Sequence, residues 1–566
     1  MNLSPEQRQE LGAQILAMIQ AGLMEKGTLP ARWQANQANY NNDPAPWSNR
    51  FLPGATMMHF PLVQPKIDRL AGSTVRTVMG TDPILSGVLR GPNQRAKQIE
   101  SVLGFFFDIG NLEQRLRTIG EQSGITDSAV LRVSFDVATL EQLAAQPEHI
   151  VTMPGMLYYA GFKFDVIHPT DFVVFPATPF GISTARLCGH RFWRTMREID
   201  ELKIAGRYFD DAMVGPGPDP TAYETRDWQF SRIGTNSAPD TDDSPVELWE
   251  VVVKLTLGSD KIPKRYRAVL AFGSGALLAL EPYPYIRPNY REFSFKAVEY
   301  GSYWPSRSVA QDLQGLQLAF NHLQNLMIYG SYHSAFPAMF GEGLPRKAVQ
   351  YMAGDVIPTD GGEVYQAQVR FDAQRLPEMI DRIDILADRV VRISAMGTGG
   401  QLRGDASATE AAAIIRGEEQ GQNDYLLNFG SSLFDVADIM REMLFANWNF
   451  WQPLYGAWLP LQDPSELLAP IRWTLAGRNP MSTPEVMMQK FEKLLEKAQL
   501  YPQFIDVQEV LRGYVNAMQL ANAENIMPDQ VAMTQGPAAG LTQGGLNELV
   551  PSLVAAAGAS GSPGAA

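Results

Sequence analysis

The sequence predicts an α+β protein, mainly helical, with a strand-rich part before its middle and two long helices joined by a small α/β insertion. Three observations predict it. From Val309 the apolar residues Leu313, Leu316, Phe320, Leu323 and Met327 follow in steps of four and three, the stripe of a helix packing along one narrow seam. A second helix follows, with Leu376, Ile380, Ile383, Ala387, Val390 and Ser394 on one face. Upstream, Ala129–Phe135, Asp171–Phe175, Val246–Leu257 and Lys264–Phe272 are rich in β-branched and aromatic residues, as strands are.

In chain order, residues 1–50 hold a short amphipathic helix, Gln7–Met24, and then a polar segment rich in Asn and Gln. Residues 61–135 read as mostly helical, with Asn93–Asp108 and Asn111–Glu121 the clearest pieces, and a helix over Arg191–Ala205 follows the first strands. From Gly215 to about Pro245 turn residues dominate, as in an exposed excursion. Pro282, Pro284 and Pro288 mark a loop towards Ser306, where the first long helix begins. The second long helix stops at Gly397-Thr398-Gly399-Gly400-Gln401-Leu402-Arg403-Gly404, four glycines in eight positions, which no helix tolerates. Ser407-Ala408-Thr409-Glu410 has capping-box spacing and starts a very long helix, with Gly417, Gly421 and Gly430 marking either a kink or packing contacts. Trp448, Trp451 and Trp458 read as a packing patch, and Ser482-Thr483-Pro484-Glu485 as a helix start. Helices run to about Leu500 and over Phe504–Glu524. From Pro528 the Gly-, Ala-, Gln- and Ser-rich composition is that of a disordered tail.

At 566 residues the chain is long enough for several buried cores, and no apolar run reaches membrane-spanning length. The N-terminus lacks a basic and apolar leader, so a soluble protein that stays in the cytoplasm is expected. The single cysteine, Cys188, excludes an internal disulfide and reads as a small buried hydrophobe. The net charge of −14 is wrong for a protein that grips DNA through its phosphates, yet weak contacts suit a passage along which DNA slides.

Catalytic motifs are missing. There is no phosphate-binding G-x-x-x-x-G-K-[ST] and no H-E-x-x-H. Phe272-Gly273-Ser274-Gly275 has the wrong spacing for a nucleophile elbow and sits in a turn. The six histidines do not cluster at ligand spacing, and Asp240, Asp242 and Asp243 lack the glycine and glutamate of an EF-hand. The expectation is therefore no enzyme, no catalytic residue, no metal and no cofactor.

Tyr300-Gly301-Ser302-Tyr303-Trp304-Pro305-Ser306-Arg307, leading into Leu313-Gln314-Gly315-Leu316-Gln317 and Asn321-His322-Leu323-Gln324-Asn325, resembles the entrance and Gln/Asn-rich first stem helix of portal proteins. These are the head-to-tail connectors of tailed bacteriophages, and the likeness is strongest to those of short-tailed phages. Ser407–Ala411 is similar to the start of their long helix. His168–Pro176 and Ala205-Gly206-Arg207-Tyr208 also look portal-like.

The resemblance implies a ring of twelve subunits at one capsid vertex of the virion, assembled in the host cytoplasm. It implies an N-terminal region and wing over 1–305, stem helices over 306–334 and 372–394, a clip over 335–371 and a tunnel loop over 395–406. A long wing helix over 407–449, wing and crown helices over 450–527 and a flexible tail over 528–566 complete the division. The implied partners are other copies of the chain, double-stranded DNA in the channel, the terminase large subunit, tail adaptor proteins and the major capsid or scaffold protein. The DNA-facing candidates are Gly397, Gly399, Gly400, Gln401 and Arg403 of the loop and Arg382, Arg389 and Arg392 of the second stem helix. Arg403 reads equally as an ordinary solvated loop residue. Glu378 and Asp388 stand four residues before Arg382 and Arg392, so helix-surface ion pairs compete with channel lining. Arg346 and Lys347 of the clip are partner-binding candidates or solvated turn residues. Another virion structural protein, capsid or scaffold, and a hydrolase with an unrecognised site are the competing readings.

Overall fold

The computed structural model describes residues 3–43, 58–79, 84–89, 94–139, 157–177, 181–214, 245–257, 262–296, 303–304, 307–335, 339–341, 364–366, 375–391, 408–461, 463–475, 491–495, 497 and 510–511. The chain divides into two compact units, Met1–Pro480 and Met481–Ala566, and the elements below belong to the first. They are α1 (Pro5–Glu25), α2 (Leu29–Asn41), α3 (Val63–Met79), β1 (Leu85–Leu89), α4 (Gln94–Ile109), α5 (Leu112–Thr126), β2 (Ala129–Thr139), β3 (Leu157–Ile167), β4 (Phe172–Phe175), β5 (Leu187–Thr195) and α6 (Met196–Ile204). After these come β6 (Pro245–Leu255), β7 (Lys264–Ala271), β8 (Leu277–Pro282), β9 (Tyr290–Phe293), α7 (Val309–Ala335), β10 (Met339–Gly341), β11 (Val364–Gln366), α8 (Arg375–Val391), α9 (Ala408–Ala446), α10 (Trp448–Tyr455) and β12 (Ile471–Leu475). The fold is α+β, and no helix among the described residues is long and apolar enough to cross a membrane.

Two antiparallel sheets form the strand-rich part. One has three strands in the order β3-β2-β9, the other five in the order β4-β5-β6-β7-β8. The five-stranded sheet is covered on one face by α1, whose Ile15, Met18 and Ile19 meet Val173, Leu187, Trp249, Val251 and Leu270. Gly12 and Gly22 permit this close approach, because a β-carbon at either would overlap backbone of Gly275 or side-chain atoms of Val173. Ile199 of α6 lies on the other face with Leu248, Val269 and Ala279. The largest core joins α3, α4 and α5 to α9, whose Phe429, Leu433, Val436, Met440 and Leu444 are buried at helical spacing.

The sequence reading is corrected in several places. The helix expected from Arg191 begins at Met196, because residues through Thr195 pair with β6 down to Pro245, and Thr195 and Glu198 then form a capping box. The polar stretch after Lys26 contains α2, whose one fully buried apolar side chain, Trp33, packs edge-on against Trp304 at 5.5 Å. The proline-marked loop before Ser306 is flanked by β8 and β9, and β1 interrupts the mostly helical stretch by pairing with the distant β12. Gly430 is a packing contact, since a β-carbon there would overlap Leu475, and α9 is one helix throughout. Cys188 is buried as expected, and burial pushes its thiol up to about 12. The excursion at 215–244, the three aspartates within it, and the capping segment 482–485 lie outside the described residues.

Candidate functional site

The two stripe-bearing helices are α7 and α8, and they pack on one another and on α3. Val309, Ala310 and Leu313 at the start of α7 share the main core with Ala387 and Val391 at the end of α8. The chain therefore leaves the core along α7 and returns along α8, with the insertion between them. Within the insertion, the β10–β11 hairpin pairs Met339 with Gln366 and Gly341 with Val364.

The seam of α7 is more polar than its apolar stripe suggests. Gln317, Asn321 and Asn325 are all buried, four residues apart. They bind the extended segment before α3 as a strand would. Asn325 Oδ1 accepts from the Met58 N–H (2.8 Å) and its Nδ2 donates to the Met58 carbonyl (2.7 Å). Asn321 Oδ1 accepts from Phe60 (2.9 Å), whose carbonyl takes a bond from Gln317 Nε2 (2.6 Å). Gln317 Oε1 accepts from both Leu62 and Val63 (2.9 and 3.1 Å). The repeats match because four helical residues rise about 6 Å and two extended residues about 6.6–6.8 Å. The i,i+4 row of amides was readable in the sequence, but its partner segment, more than 250 residues away in sequence, was not.

On α8 the buried seam is Ile380, Ala387 and Val391, with Leu376 and Ile383 half-buried. Val390 is exposed, correcting its expected place, because Val391 completes the seam. Asp388, which helix spacing offers to Arg392, has partners on another helix. Asp388 and Asp384 both bind Lys66 of α3, at 2.6 and 2.9 Å, and Arg69 lies 3.8 Å from Asp388. Lys66 is buried, and these two carboxylates of α8 compensate its charge. Replacing Lys66 with Met should lower the unfolding free energy by about 2 kcal/mol, since it strands the mostly buried Asp388 charge while Asp384 stays solvated. A Lys66→Met/Asp388→Leu double variant recovering most of that loss in a denaturation midpoint would establish the pairing; an unchanged midpoint in the single variant would refute it.

Arg382 and Arg389 are exposed and make no ion pair among the described residues, so the expected Glu378–Arg382 pair is not formed. Seven residues return a helix to within about 20° of the same direction, so Arg375, Arg382 and Arg389 form one row on α8. Arg375 escaped the sequence reading, although its i,i+7 spacing signals it. Beside this row lie the exposed apolar residues Met379 and Leu386, and α7 exposes Leu326, Ile328 and Tyr329. Arg392, the loop residues Gly397, Gly399, Gly400, Gln401 and Arg403, and Arg346 and Lys347 of the insertion lie outside the described residues.

A subunit whose paired long helices leave its core, expose apolar side chains and carry an insertion between them is built as one segment of a larger assembly, in the manner of a head-to-tail connector. A family model described as phage SU10 portal protein matches residues 142–447, more than half of the chain, and the chain belongs to that family. It is a phage portal protein. No curated protein matches the chain.

Proposed function

We propose that twelve copies of the chain close into a ring at one capsid vertex, through which double-stranded DNA is packaged and later ejected, without enzymatic activity of its own. The insertion 335–371, with Arg346 and Lys347, docks the terminase large subunit and then the tail adaptors, and the ring seats in the major capsid or scaffold protein of the virion. The loop 395–406 narrows the channel, with Gly397, Gly399 and Gly400 giving it freedom and Gln401 and Arg403 meeting phosphates. Arg382 and Arg389, joined by Arg375, line the bore above it.

The observation that carries this reading is the family match, which spans both long helices, the insertion, the glycine-rich loop and α9. The exposed apolar residues of α7 and α8 support it, because neighbouring copies would cover them. The row of arginines on α8 supports a channel that touches phosphates weakly and repeatedly. Native mass spectrometry and negative-stain imaging test the assembly: closed rings with a central hole are expected, and only monomers and dimers would overturn it. Arg382→Gln/Arg389→Gln should still form rings but package or retain less DNA, with the deficit largest at low ionic strength, where phosphate contacts are least screened. Unchanged DNA content at every salt concentration would place the row away from the bore.

A further inference from the structure

The face of the five-stranded sheet that α6 partly covers holds a cavity of about 460 Å³ that the portal function does not use. Its floor is a cross-strand row in which His190 faces Glu250, Glu250 faces Val269 and Val269 faces Ala279. One wall follows from the end of α6. Gly206, at φ +67°, closes a turn in which its own N–H bonds the Lys203 carbonyl (2.8 Å) and the Arg207 N–H bonds the Leu202 carbonyl (2.9 Å). That turn sets Arg207 and Tyr208 at the cavity rim. Arg132 of the other sheet also lines the cavity.

The charges in this cavity do not balance. Four arginines line it against two glutamates, Glu250 and Glu281. Arg132 and Arg267 are both committed to Glu250 Oε1, at 2.6 and 2.9 Å, and Arg267 also reaches Glu281 at 3.6 Å. Arg194 and Arg207 have no ion pair among the described residues. The Nε atoms of Arg132 and Arg194 are buried without a hydrogen-bond partner. His190 adds no charge, since burial pushes its imidazole down to about 4, and its Nδ1 lies 2.9 Å from the Tyr290 hydroxyl. The lining thus carries an excess of two positive charges, one of them offset by Asp165 at 3.4 Å from Arg132, in a chain whose net charge is −14. The rest of the surface is apolar: Phe192, Leu202, Val269 and Ala279.

From this juxtaposition of unpaired guanidinium groups with an apolar wall we infer that the cavity binds a small organic phosphate. Arg194, Arg207 and the Tyr208 hydroxyl hold its phosphoryl oxygens, and Phe192, Leu202 and Val269 pack on its organic body. Guanidinium forks match phosphate geometry, and a cavity of this size accommodates a nucleoside monophosphate rather than a bare ion.

Isothermal titration of the full-length assembled protein with adenosine monophosphate, adenosine and inorganic phosphate at low salt tests this. Adenosine monophosphate should bind with a Kd of about 1 mM or tighter. Adenosine and inorganic phosphate should each bind at least about tenfold more weakly, as each lacks half of the recognised chemistry. Arg194→Gln/Arg207→Gln should weaken adenosine monophosphate binding by about tenfold or more, and Arg207→Gln alone, at an exposed position that folding does not need, should weaken it measurably. Arg197→Gln should not, because Arg197 points to Glu201 outside the cavity. Absent binding by the unaltered protein, equal binding of adenosine, or undiminished binding by Arg207→Gln would each overturn the assignment.

Discussion

Gln317→Ala should lower the unfolding free energy by about 3–4 kcal/mol, because one truncation strips two buried backbone N–H groups and one part-buried carbonyl of their partners. The Leu62 and Val63 N–H groups lose their acceptor at a site too buried for water to replace it cheaply, and the part-buried Phe60 carbonyl loses its donor. Gln314→Ala, at an exposed position one turn earlier, should stay within about 0.5 kcal/mol of the unaltered protein. Denaturant midpoints of the two variants, measured side by side, check this. Equal midpoints would mean that the amide ladder does not hold the extended segment to α7. The ladder also bears on function, since it fixes the helix from which the insertion projects, so Gln317→Ala should reduce ring yield before it affects any DNA contact.

Trp451→Ala should cost about 4 kcal/mol, the range for emptying a large aromatic site in a core. The ring is fully buried and meets Phe106 and Trp448 edge-on, at centroid distances of 5.7 and 4.6 Å. Its indole Nε1 donates to the Leu444 carbonyl at 2.8 Å, satisfying one of the acceptors left open at the end of α9. Trp451→Phe keeps most of the packing and loses only that bond, so its cost should be about 1 kcal/mol. Trp458→Ala, at a site 74% exposed, should change little. A thermal-unfolding series over the three variants tests the order, and a Trp458 effect as large as that of Trp451 would contradict it.

The sequence by itself determined the elements whose signal is local. The four-and-three stripe of α7, the seam of α8 and the strand composition of β2, β4, β6 and β7 each follow from periodicity or side-chain shape within a short window. The order of short motifs around them also carried the portal resemblance that the family match bears out. Wherever the partner lies far along the chain, only the tertiary structure decided. Helix α2 depends on Trp33 meeting Trp304, and β1 on pairing with β12 nearly four hundred residues away. Residues 191–195 extend rather than coil because β6 supplies their ladder bonds. Asp388 pairs with Lys66 of α3, because a buried ammonium needs a carboxylate beside it, and that lysine lies more than three hundred residues away. The polar row of α7, Gln317, Asn321 and Asn325, is buried. Side-chain amides can be buried when every donor and acceptor finds a partner, and here the partner is the segment before α3, which no local pattern announces.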